Sequence, residues 1–251
     1  MEPGSSRIRN ALIVVGLVLA LAACQGAPEF INHPAPSLSV AFDEFSDAGC
    51  PESKYGGRTC ESDSPLAALG CANIREPADL LGGLQPAYPI AVCEMRLHAP
   101  STTAELAAEI DAGEFLYYGG GLSDTFMRYV IFQDGELRLL KSEEDLRRTF
   151  APIESPEEAL SYVLAAKGRL LAYYGLAPDA ALEYEADTIE DTYVNSEPDG
   201  YSLLLYDYAA FGCGPHWTFA VRLHVSADGM IEEVARQKVF RNPDEDNLCA
   251  D

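Results

Sequence analysis

Seven cysteines stand at positions 24, 50, 60, 71, 93, 213 and 249, and their use decides what this chain can become. The first follows residues 11–23, an unbroken run of 13 apolar or small residues behind Arg7 and Arg9. A membrane-spanning helix needs roughly 17–25 such residues, so the run is too short to span and has the length of a secretory h-region. An exported chain matures in an oxidising compartment, where an even set of cysteines reads as disulfides. Cys50, Cys60, Cys71, Cys93, Cys213 and Cys249 therefore read as three bridges. Fifteen connectivities are open. Pairing of nearest neighbours is the expectation: Cys50 with Cys60, Cys71 with Cys93, Cys213 with Cys249.

Leu21-Ala22-Ala23-Cys24 closes the apolar run and resembles the lipobox of bacterial lipoproteins. The resemblance implies a diacylglyceryl group on the Cys24 sulfur, cleavage before Cys24, and a lipidated N-terminus that anchors the protein to the membrane. Several acyl chains anchor stably where one is marginal. The other reading of the same residues is a plain signal peptide cut near Ala23. Gln25 is not the Asp linked to inner-membrane retention, which favours the outer membrane in a Gram-negative source.

Loss of residues 1–23 removes Glu2, Arg7 and Arg9 and takes the net charge from −23 to −24. Phosphate contacts need clustered Lys and Arg, so nucleic acid is excluded as a partner. Such a surface stays soluble and repels anionic lipid headgroups. A cationic partner, a divalent cation or simple salt tolerance would each account for it. A hydrophobic content of 48% is ample for a packed core.

Residues 24–48 hold three prolines and no clear period, and read as a flexible tether behind the lipid. Residues 49–251 form the body, with 49–150 and 151–251 as candidate subdomains. Residues 50–88 read as an irregular, disulfide-held segment with a short helix at 64–69. Residues 90–97 alternate as a strand with one buried face. A helix over 102–111 and a strand over 114–118 follow. Asp134-Gly135 suits the positive-φ positions of a type I′ turn and predicts a hairpin of 127–133 with 136–140. Ser142 caps a helix to Phe150, and Ser155-Pro156-Glu157-Glu158 starts a second. Residues 169–175 fit a helix or a strand.

From Ile189 onward the pattern is β, with turns at Pro198-Asp199-Gly200 and Asp228-Gly229. Phe219, Val221, Leu223 and Val225 alternate with Thr218, Ala220, Arg222 and His224. The predicted class is α+β: short helices with antiparallel sheet, and a C-terminal helix followed by a four-stranded antiparallel meander. The Glu-Glu-Ala-Leu helix at 157–160 and the Asp-Gly hairpin resemble the PepSY domain of bacterial envelope proteins over residues 155–240. The Gly-Cys-Gly-Pro-His insertion at 212–216 departs from that pattern. The Asp-Gly hairpins at 134 and 228 fit either a decayed repeat or shared turn chemistry.

Catalytic signatures are sparse. Gly121-Leu122-Ser123-Asp124 lacks the second Gly of a nucleophile elbow, and no metalloprotease or P-loop motif is present. Cys213 and His216 have a spacing that metals use, but a zinc site needs two further ligands. No metal or cofactor is expected. Tyr206, Tyr208, Phe211, His216 and Trp217 surround a crosslinked turn and form the candidate binding surface; the alternative buries these aromatics in the core. Tying the tail through Cys213 to Cys249 would set Asp244, Glu245 and Asp246 near Trp217 as an anionic rim for a cationic partner. The acidic run of Glu183, Glu185, Asp187, Glu190 and Asp191 reads as a solvated loop. The expected role is that of a non-enzymatic envelope lipoprotein displaying a small disulfide-bonded binding body, its partner an envelope protein or ligand. The alternative is an envelope hydrolase using carboxylates on the sheet.

Overall fold

The computed structural model describes residues 27–54, 57–96, 103–120, 125–210 and 212–250. Cys24, His98, Ser123 and Phe211 lie outside the described residues. Two antiparallel sheets carry the body, in the α+β arrangement expected. The first runs in the order Arg58–Thr59, Asn73–Arg75, Ile90–Arg96, Thr125–Gln133, Tyr117–Gly120, with Glu136–Leu140 also on Thr125–Gln133. The second is the C-terminal meander: Tyr193–Glu197, Gly200–Tyr208, Trp217–Ser226, Ile231–Arg241, then Glu183–Tyr184 at its edge.

Local chemistry sets the elements. Asp134 and Gly135 take φ values of 53° and 84°, the left-handed pair a two-residue hairpin requires. The Ser155 hydroxyl accepts the N–H of Glu158 at 3.1 Å and caps Pro156–Ala166. That helix is buried from Glu158 through Ala166, not along one stripe. The second sheet covers one side of it and the Asp79–Gly83 turn the other. Ser161 links helix to turn: its hydroxyl donates to Leu80 O at 2.5 Å and accepts Gly83 N at 3.0 Å. A Cβ on Gly83 would lie 2.5 Å from Glu157 O, so only glycine lets the turn approach this closely.

One core cluster joins Ile90, Val92, Ile131 and Leu140 of the first sheet to Leu203, Leu205, Val221 and Leu223 of the second, with the helix between them. The halves 49–150 and 151–251 thus share a core. A second cluster packs Ala91, Cys93 and Met95 against Phe45, Leu66 and Ile74. Ile90–Arg96 therefore buries both faces, not the single face its alternation suggested, because it lies between the two clusters.

The disulfides are Cys50–Cys60, Cys71–Cys93 and Cys213–Cys249, the nearest-neighbour pairs. Residues 50–88 are more regular than expected, since Asn73–Arg75 adds a strand to the first sheet. Of residues 169–175, only Leu170–Leu171 is regular, a short strand beside Tyr206 and Asp207.

The tether reading of 24–48 is corrected over most of its length. Glu29–Ile31 pairs in parallel with Thr188–Glu190. Ala41 O accepts the N–H of Ile90 at 3.2 Å, and Phe45 is wholly buried. Phe30, Val40, Phe42 and Phe45 follow no helical or strand period, yet they pack into three different parts of the core, Phe42 and Phe45 together. An extended segment gains its burial one side chain at a time, which periodicity does not register.

Candidate functional site

Alternation along the meander sends Leu203, Leu205, Val221 and Leu223 toward the helix. Leu204, Tyr206, Ala220 and Arg222 face the other way. That second face is partly covered. Residues 186–190 cross it and line one side of a solvent-open cavity of about 430 Å³, with Asp187, Thr188, Arg222, Ala235 and Gln237 exposed, within the roughly 300–1,000 Å³ of small-molecule pockets. Leu204, Ala220, Ala235 and Val239 form its apolar floor. The two alanines leave room that larger side chains would fill.

A buried carboxylate holds the roof in place. Asp191 is fully buried and accepts the N–H of Gly175 at 2.7 Å, Leu176 at 2.9 Å and His33 at 3.1 Å, and the Asn32 amide at 3.2 Å. It thereby ties the N-terminal strand, the 173–176 loop and the roof to one point. Burial works to raise its pKa, but the donors of Leu176, Gly175, His33 and Asn32 outweigh it and hold the carboxyl below its usual range. Glu190 adds a contact to His33 Nε2 at 2.8 Å. The solvated reading of the acidic run is corrected at Asp191, which is a buried organising group; Glu183, Glu185 and Asp187 are exposed, and Asp187 and Glu190 line the cavity.

The polar lining is uncommitted. The side chains of Arg222, Gln237, Asp187, Thr188 and Tyr193 make no hydrogen bond or ion pair among the described residues. Other cations are taken: Arg75 by Glu94 at 3.0 Å, Arg147 by Glu144 at 2.5 Å, Arg236 by Asp207 at 2.6 Å. A groove of about 480 Å³ between Tyr117, Tyr118 and Ile231–Arg241 contrasts with the cavity. Its Lys167 meets Glu143 at 2.5 Å and its Arg236 meets Glu233 at 2.9 Å. Those ions are already satisfied by the protein.

The expected surface at 206–217 is corrected at Tyr206 and His216, which are buried. Tyr206 is buried, stacks on Tyr173 at 4.9 Å and donates its hydroxyl to Glu190 O. It belongs to the cavity wall. Tyr208 donates to Glu245 at 2.5 Å, and burial followed by the Glu245 carboxylate pushes its pKa up to about 12. His216 is buried, with Nδ1 at 2.8 Å from Ala209 O and Nε2 at 3.1 Å from Leu248 O. Two carbonyl acceptors on two ring nitrogens call for the doubly protonated ring. Trp217 is half-buried, with Lys238 Nζ at 4.8 Å and Arg241 at 5.3 Å from its ring centre. Its rim is cationic rather than anionic, because Asp246 is paired with Arg241 and Glu245 with Tyr208. These residues latch the C-terminal tail, beside Cys213–Cys249, onto the sheet.

Among the described residues, Glu197, Asp199 and His224 gather three potential ligand atoms within 4.8 Å. His224 Nε2 lies 3.4 Å from Asp199 and 3.7 Å from Glu197, beside the turn of the hairpin.

No family model, curated protein or solved structure matches this chain. The site itself must therefore carry the functional argument. Arg222 and Asp191 are the residues that sequence reasoning missed. Arg222 sits in the polar phase of a strand and is solvent-exposed, and nothing in the pattern announced that 186–190 would cross the same sheet face and line a cavity with it.

Proposed function

We propose that this chain is a lipid-anchored, non-enzymatic protein of the bacterial cell envelope whose disulfide-bonded body binds a small ligand in the cavity beneath residues 186–190. The observation that carries the binding reading is the uncommitted polar lining, with Arg222 unpaired in a chain of net charge −23. Arg222 and Asp187 are solvent-exposed, so water satisfies them in the free protein and a ligand can replace that water, whereas in the groove beside Lys167 and Arg236 the protein's own carboxylates do so. Three disulfides fit an oxidising, exported compartment. No helix among the described residues is long and apolar enough to cross a membrane. The anchor is assigned to Cys24 from its lipobox, with the outer membrane favoured in a Gram-negative source.

Docking of Glu29–Ile31 gives this reading a geometric consequence. Only residues 25–28 separate Cys24 from the roof strand. Four extended residues reach about 14 Å, so a lipid on Cys24 would hold the cavity close to the headgroups. Cys24→Ser tests the anchor: the protein should leave the membrane fraction or stall uncut. Unchanged membrane association with normal cleavage would remove it.

A hydrolase is the second reading, favoured by Asp187 and Glu190 lining one cavity as paired carboxylates would. Glu190 is already engaged by His33 at 2.8 Å, which weighs against a free catalytic acid. Turnover of an envelope glycan or ester that is abolished by Asp187→Asn would establish it over binding.

A further inference from the structure

Resting on the binding reading of this cavity, the geometry points to a small zwitterion as its ligand: a free α-amino acid or a short peptide with a free ammonium and a free carboxylate. The cavity lining includes one cation and one anion, Arg222 and Asp187, that are solvent-exposed and have no partner among the described residues. They come from different elements, Arg222 from the sheet in register with Leu204 and Ala235, Asp187 from the crossing segment 186–190. They form no ion pair with each other. A guanidinium matches a carboxylate in two parallel hydrogen bonds, and Asp187 offers the complementary acceptor for an ammonium.

The remaining lining fits the same class. Gln237 carries both an amide donor and an acceptor, suited to a peptide group, and Thr188 and Tyr193 add hydroxyls. Leu204, Ala220, Ala235 and Val239 give a short apolar floor for one or two side chains. A plain dianion would set its second charge against Asp187 and Glu190. A plain cation would face Arg222. A molecule bearing one charge of each sign meets neither conflict.

The test is calorimetry on the mature protein in detergent micelles. The probes are free leucine, the dipeptides Ala-Ala, Leu-Ala and Phe-Ala, their N-acetylated and C-amidated forms, and succinate. At least one unmodified probe should bind, and blocking either end should weaken it tenfold or more. Arg222→Gln should erase the preference for the free carboxylate, and Asp187→Asn the preference for the free ammonium. Both side chains lie outside the packed cores, so the variants should keep the parent unfolding midpoint. If blocked probes or succinate bind as tightly as the free ones and Arg222→Gln weakens them, the zwitterion assignment fails while the cavity reading stands. If no probe binds, the zwitterion assignment fails, and probes that bind the parent and Arg222→Gln equally would take the cavity reading with it.

Discussion

The backbone N–H of His33 donates to the Asp191 carboxylate at 3.1 Å, across 158 residues of sequence. Through this bond and three others to the same carboxylate, the N-terminal segment becomes part of the wall of the C-terminal sheet. N-terminal strand, crossing segment and cavity are then one mechanical unit.

Removing the acceptor should show how much that unit depends on it. Asp191→Ala leaves four donors facing a void. Hydrogen bonds to a charged group contribute about 1.5–3 kcal/mol each, so a loss of at least about 3 kcal/mol is expected in denaturant unfolding. Because the folded pKa lies below the ordinary 3.8, this contribution is complete above that value and is lost as pH falls through the folded pKa. The Asp191→Ala midpoint should therefore converge on the parent's only in strong acid.

The tail latch has the opposite pH sense. Hydrogen bonds to the carbonyls of Ala209 and Leu248, then the nearby Glu245 and Asp246, raise the His216 pKa above 6.5. Its contribution is full below 6.5 and fades as pH rises through the folded value. An NMR titration of the His216 ring should give a midpoint above 6.5, and Trp217 emission should shift over the same range as the tail loosens.

Severing Cys213–Cys249 should act on the same element. The bridge spans a sequence separation of 36, for which loop-closure entropy gives about 2–4 kcal/mol. The double Cys→Ser variant should lose stability on that scale and gain proteolytic cuts after residue 241. The cavity, on the far side of Tyr206 from the latch, should keep its ligand.

Gly83→Ala probes the junction between the halves. The added methyl would meet the Glu157 carbonyl and the Ser161 hydroxyl, both at 2.5 Å. Overpacking of this kind costs about 1–3 kcal/mol. A single shifted unfolding transition would show that both sheets report the loss together, as a shared core requires; two separated transitions would show independent halves.

Elements with strong local chemistry were legible in the sequence. Ser155-Pro156 announces its helix and Asp134-Gly135 its hairpin, because capping and turn preferences act within a few residues. Val221, Leu223 and Val225 announced a core face by alternation alone. The site was not legible in this way. Asp191 resembles any acid in an acidic run until the chain brings Gly175, Leu176 and His33 to it. Arg222 and Ala220 occupy the polar phase of their strand, and only the crossing of 186–190 turns that phase into a floor. Tyr206 and His216 were placed on a surface because neighbouring aromatics invite that reading, yet the strand pleat and the returning tail bury both. In each failure the deciding partner lay many residues away.

The central claim is that the cavity under residues 186–190 holds a small molecule through Arg222. Native mass spectrometry of the protein purified from its native source tests this most directly, alongside Arg222→Gln and a cavity-filling Ala220→Trp. The parent should carry a bound small molecule as a discrete added mass, and both variants should lose it while keeping their fold. A parent spectrum without any added mass, or one whose adduct persists unchanged in both variants, would contradict the account.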